Sequence, residues 1–100
     1  VDFIYENDNF FVIRDQNPRT KGHSLVIPKK HFVNTLDLPS TLGRELIDAV
    51  KSVASDLLKE EDVEGFNVLQ NNFSVAGQLV MHAHFHVIPR RKGDGLKPLG

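Results

Sequence analysis

The apolar positions of this chain change period along its length, and each change marks an element. Residues 3–6 and 10–14 are short β-rich runs separated by Asn7-Asp8-Asn9, which reads as two strands joined by a tight turn. Residues 15–22 carry Asn17, Pro18 and Gly22 and read as a loop. Residues 24–27 form a third strand, expected to stop at Pro28 because proline has no ladder donor. Between Ser40 and about Lys59 the spacing turns helical. Leu42, Leu46, Ala49, Val53 and Leu57 share a face and leave Arg44, Asp48, Lys51 and Asp56 to water. Pro39 blocks an earlier start, and Ser40 or Thr41 is the expected cap. Residues 66–70 are a fourth strand and 71–77 a loop, followed by an alternating run from His82 to Ile88 that ends at Pro89. Five short strands and one long helix predict an α+β fold with a mainly antiparallel sheet.

The last run also carries the chemistry. In His82-Ala83-His84-Phe85-His86-Val87-Ile88 the side-chain period of two sends the histidines to one face and Ala83, Phe85 and Val87 to the other. The apolar face suits a core, and the other face is a row of imidazoles that donate, accept or carry protons near neutral pH. Three of the chain's five histidines fall here, which packing alone does not require.

Composition narrows the setting. One hundred residues with 40% hydrophobic and 25% charged content suit one small globular domain, and a formal net charge of −1 gives no field that draws the chain to nucleic acid or to an anionic membrane. The longest apolar runs are far too short to span a bilayer, and no signal peptide is evident at the start. The absence of cysteine removes disulfides, thiolate metal sites and thiol nucleophiles, and it suits a reducing, cytoplasmic compartment.

Spacing weighs against a metal. Neighbours on one strand face lie about 6.6–6.8 Å apart, so a straight strand cannot bring all three imidazoles onto one ion, and no further ligands are nominated. A phosphoryl group in transfer fits better, because its entering atom, equatorial oxygens and leaving group are strung along several ångströms. One imidazole can attack in line while a neighbour protonates the leaving atom. A solvated row of surface histidines is the bland alternative.

The run matches the pattern His-φ-His-φ-His-φ-φ and so resembles the histidine triad (HIT) family of nucleotide hydrolases and transferases. The resemblance extends through Asp15, Asn17-Pro18, Gly22 to His31, Asn71, Ala76-Gly77-Gln78 and Pro89-Arg90, from about Tyr5 to Arg91. It implies a single HIT domain over residues 1–100, with the family's N-terminal segment expected to be absent. By position, His84 resembles the nucleophile at the α-phosphorus, His86 the partner near the leaving atom and His82 the residue that orients the site through its backbone carbonyl. His23 is similar to the family's fourth histidine, Asp15 to the carboxylate that binds ribose, and Asn71, Gly77 and Gln78 to the phosphate loop. His31, after Lys29-Lys30, is expected at the surface, and among the nearby basic residues Arg90 is expected to bias the site towards anions.

The implied activity is hydrolysis of nucleoside 5′-phosphoramidates or dinucleotides through a nucleotidyl-histidine, without metal or cofactor, in a homodimer. The nucleotide is of adenosine or guanosine type. Phosphoramidase and dinucleoside polyphosphate hydrolase both stay open, as does a non-catalytic nucleotide- or partner-binding module. Two departures bear on this choice. Leu79 stands where family members often place a hydroxyl after Gly-Gln, and the segment that walls the base pocket in the family is expected to be absent.

Overall fold

The computed structural model describes residues 3–97. The alternation read from the sequence resolves into two sheet faces. Phe10, Val12 and Val26 are fully buried, while the intervening Phe11, Ile13, Leu25 and Ile27 are only partly covered. The strands are β1 (Tyr5–Glu6), β2 (Phe10–Arg14), β3 (Ser24–Pro28), β4 (Gly65–Leu69) and β5 (Phe85–Arg90), with one helix, α1 (Gly43–Leu57). They form one sheet in the order β1-β2-β3-β5-β4 with every pairing antiparallel. Helix α1 lays Ala49, Val53, Ala54 and Leu57 on Phe10, Val12, Val26 and Val87, and this layer is the core. The opposite sheet face is left for the site.

Several boundaries depart from the sequence reading, each for a local reason. The helix needs neither Ser40 nor Thr41 as a side-chain cap. The chain enters through a 3-10 turn, Ser40–Leu42, in which the Leu42 N–H bonds the Pro39 carbonyl at 3.0 Å and the Gly43 N–H bonds that of Ser40. Pro89 does not end β5. The Arg90 carbonyl faces β4 and accepts the Glu64 N–H, so the Pro89 backbone faces the other way, where β3 has not yet begun and Thr20 Oγ1 donates to its carbonyl at 2.8 Å. No ladder donor is needed there.

The largest departure concerns the histidines. β5 begins at Phe85, so His82 and His84 precede the strand instead of lying within it. β3 and β5 pair from Ser24↔Val87 to Val26↔Phe85. Continuing that register would set Ala83 opposite Pro28, which has no N–H to give. The Ala83 N–H bonds the Phe32 carbonyl instead, at 2.6 Å. The chain peels from the ladder there, and the row of three divides.

Candidate active site

The site forms where three chain segments meet on the open sheet face. Asp15 follows β2, His23 precedes β3, and an Asp15 N–H to His23 carbonyl bond of 2.9 Å holds them together. His86, paired with Leu25, brings β5 beside them. A cleft of about 390 Å³ collects Asp15, Arg19, Asn71, Gly77, His84 and His86. His84 and His86 stand with ring centroids 5.1 Å apart. His82 turns from this pair and lines an adjoining apolar hollow with Leu25, Ile27 and His84.

Backbone anchors on His23, His82 and His84 fix the tautomers that the five imidazoles adopt when uncharged. The Arg19 N–H donates to His23 Nδ1 at 3.1 Å, so the proton of neutral His23 sits on Nε2. That N–H faces His86 Nδ1 at 2.9 Å, with Asp15 Oδ2 further off at 3.4 Å. His86 therefore accepts at Nδ1 and keeps its own proton on Nε2. On the other side, the His82 carbonyl accepts the His84 Nδ1–H at 2.9 Å and leaves a lone pair on His84 Nε2. The His82 ring donates Nε2–H to the Pro28 carbonyl at 2.9 Å, so its Nδ1 accepts from His31 Nδ1–H at 3.1 Å.

The electrostatics favour neutral rings on the His23–His86 side. Burial lowers the His86 pKa to about 4, and the neighbouring His84 and His23 push it the same way. His23 is lowered first by its own burial, against the opposing pull of Asp15. Asp15, His23 and His86 place three potential metal donors within 4.8 Å of one another. The donor set does not fit an ion, because His23 Nε2 carries a proton as long as its Nδ1 accepts the Arg19 N–H.

Loop residues divide into two kinds. Asn71 and Gly77 line the cleft, and Gly77 has φ +98° with a Cβ position only 3.2 Å from Asn71 Nδ2, so glycine is required there. Gln78 is different from what its position suggests. Its side chain is buried and spent inside the loop, accepting the Phe73 N–H at 2.8 Å and donating to the Val33 and Val80 carbonyls. It braces Phe73, which sits at φ +71° and ψ 152°, a costly conformation for a residue with a Cβ. The Gly77 and Gln78 N–H groups bond the Ser74 and Phe73 carbonyls and are not free for an anion in this arrangement. Leu79 is 90% exposed at the cleft rim and offers no donor.

One basic residue needs reassignment. Arg90 does not face the cleft: its guanidinium is consumed by both oxygens of Asp94, by Asn67 Oδ1 and by the Leu96 carbonyl. That pairing raises the Arg90 pKa and holds the Asp94 carboxyl well below the usual carboxylate range. Arg19, which the sequence pattern did not single out, is the cation that lines the cleft, and it makes no ion pair among the described residues. Its only sequence signal was its place between Pro18 and Gly22. Lys29, by contrast, pairs with Glu6 at 2.5 Å.

Comparison with known proteins identifies a family and a shared fold. The HIT domain family model matches residues 1–93. The chain is 44% identical over 92 residues to an uncharacterized HIT-like protein of Methanocaldococcus jannaschii, covering 92% of this chain and 70% of that protein. It is 37% identical over 93 residues to adenylylsulfatase HINT3 of Arabidopsis thaliana, covering 93% of this chain but only 47% of the relative. A crystal structure of a HIT family member from Bacillus subtilis superposes with a TM-score of 0.87 at 38% identity, covering 98% of this chain and 70% of that one.

Proposed function

The chain belongs to the HIT domain family, and on that premise we propose that it hydrolyses a nucleotide at the α-phosphorus through a nucleotidyl group on His84. The observation that carries this reading is the His84 ring itself. Its Nδ1–H is tied to the His82 carbonyl, and its Nε2 lone pair is left for attack beside His86 Nε2–H.

In the first step His84 Nε2 bonds to phosphorus and the bond from phosphorus to the leaving group breaks, with its electron pair going to the leaving atom. His86 Nε2–H is placed to hydrogen-bond that atom. An anionic phosphate set against the pair raises the proton affinity of His86; when the His23 Nε2–H turns from His86 Nδ1 to Asp15 Oδ2, 3.4 Å away, the imidazolium that can protonate an amine leaving group forms with substrate bound. In the second step water attacks phosphorus and gives a proton to His86, and the bond to His84 breaks to release the nucleoside monophosphate. Asp15 Oδ1 already accepts the Asn17 N–H at 2.9 Å, and its remaining lone pairs suit ribose hydroxyls. Leu25 gives the base an apolar contact, and Asn71 Nδ2 supports the phosphate. No metal or cofactor enters this scheme.

Leaving-group preference follows from Arg19. A cation beside His86 suits a sulfate or phosphate leaving group, which fits an adenylylsulfatase among the relatives better than an amine does. Parallel turnover assays with adenosine 5′-phosphoramidate, adenylyl sulfate and a diadenosine polyphosphate test the proposal, and release of adenosine monophosphate is the expected result. A second reading, a nucleotide-binding module without catalysis, is favoured by the engaged Gly77 and Gln78 amides and by Leu79. Calorimetric binding of adenosine monophosphate with no turnover of any of the three would establish it.

We also propose a cytoplasmic homodimer. Among the described residues no helix is long and apolar enough to cross a membrane. β4 is a sheet edge whose Phe66 and Val68 are 39% and 49% exposed, an apolar strand that a second copy can extend.

A further inference from the structure

His31 packs little, since it is exposed, and yet it is tied to the nucleophile through a chain of directed bonds. Its Nδ1 lies 3.1 Å from His82 Nδ1, the rings standing 5.1 Å apart and tilted by 58°. The His82 Nε2–H is committed to the Pro28 carbonyl at 2.9 Å, and a carbonyl only accepts. In the neutral pair, His82 Nδ1 is therefore a lone pair, and among the described residues only His31 donates a proton to it. His82 thus has a ring held at both nitrogens and a carbonyl that holds His84 Nδ1–H at 2.9 Å. Beyond the burial of Ala83, the one backbone bond that pins this segment among the described residues runs from the Ala83 N–H to the Phe32 carbonyl, because the β3–β5 ladder has ended.

We propose that His31 is a positioning residue for the nucleophile: it locks the His82 ring against Pro28 and thereby fixes the carbonyl that orients His84. The proposal rests on the reading of His84 as nucleophile, and it assigns His31 no contact with substrate. Losing the His31 donor frees His82 Nδ1 to seek water and lets residues 82–84 shift. A small displacement of an attacking atom costs rate much more than binding.

Two measurements decide it. In nitrogen-15 histidine spectra of the free protein, His31 is expected as the Nδ1–H tautomer and His82 as Nε2–H, with the His82 signals changing in His31→Phe. In kinetics, His31→Phe is expected to lower kcat about tenfold with KM within about twofold. His31→Asn places an amide N–H where the imidazole Nδ1–H was and is expected to recover most of the loss. An Nε2–H His31, a wild-type kcat in His31→Phe, or an equal loss in both variants would overturn the proposal. If the wild-type protein turns over no nucleotide, the nucleophile reading fails separately, while the tautomer spectra still decide whether His31 locks His82.

Discussion

His23 Nε2 lies 2.9 Å from His86 Nδ1, and the same His23 ring accepts the Arg19 N–H at its far nitrogen. A backbone amide thus decides, through two imidazoles, which nitrogen of His86 carries a proton into the cleft. Burial makes both rings resist protonation, and in the free protein each nitrogen facing a donor has no room for a second hydrogen until that donor turns away.

Nucleotide binding is therefore expected to take up a proton. His86 is held at about 4 in the free protein, below the ordinary 6.5, and an anionic phosphate raises it. Between about 4 and the higher value reached in the complex, the complex binds more protons than the free protein, so affinity falls as pH rises through that window. Calorimetry with adenosine monophosphate at pH 6, in buffers of different ionisation enthalpy, should show net uptake that largely disappears in His86→Gln. The same uptake in the variant would place the proton elsewhere.

The same lowered pKa values act on stability in the opposite sense. The unfolded chain binds protons at histidine before the folded one does, so stability is complete above about pH 6.5 and declines as pH falls towards 4. Asp94, shifted far down by Arg90, keeps its contribution throughout that window. The melting temperature should fall from pH 6.5 to 4.5 in the wild-type protein and fall less in His86→Gln; parallel curves would contradict the assignment.

Gly22 links the core to the site. It sits at φ +98°, and a Cβ there would lie 2.8 Å from Leu57 Cδ2, which is buried and cannot give way. Gly22→Ala should destabilise the protein by about 1–3 kcal/mol in urea titration, through backbone strain and this clash. An unchanged midpoint would mean that the helix end does not bear on the turn carrying His23.

Arg19 should set leaving-group selectivity. Arg19→Gln is expected to lower kcat/KM for adenylyl sulfate about tenfold while changing that for adenosine 5′-phosphoramidate much less, because only the first releases an anion with a full charge. Equal losses on both would make Arg19 a general phosphate contact.

Much of this was legible in the sequence because alternation and helical spacing report burial directly. Phe10, Val12 and Val26 are buried where a period of two places them, and Ala49, Val53 and Leu57 where the helical period does. The HIT resemblance, read from the histidine run and its flanks, stands with the family match over residues 1–93. Alternation does not report pairing, however. The apolar-polar pattern runs unbroken from His82 to Val87, and the ladder stops at Phe85 because of Pro28, more than fifty residues away in sequence. The roles of Gln78, Arg90 and His31 were hidden for a related reason. Each depends on partners at long range or in an adjacent loop: Val33 for Gln78, Asn67 for Arg90 and His82 for His31. Local spacing carries no signal of such contacts.

The central claim is that His84 Nε2 takes the nucleotidyl group. Intact-mass spectrometry of a reaction quenched within its first turnover, using whichever adenylylated substrate turns over fastest, tests it directly. The account predicts one nucleotidyl adduct on the wild-type protein, mapped to His84, with adduct and turnover both lost in His84→Ala. Turnover that persists in His84→Ala, or an adduct mapped to another histidine, would contradict it.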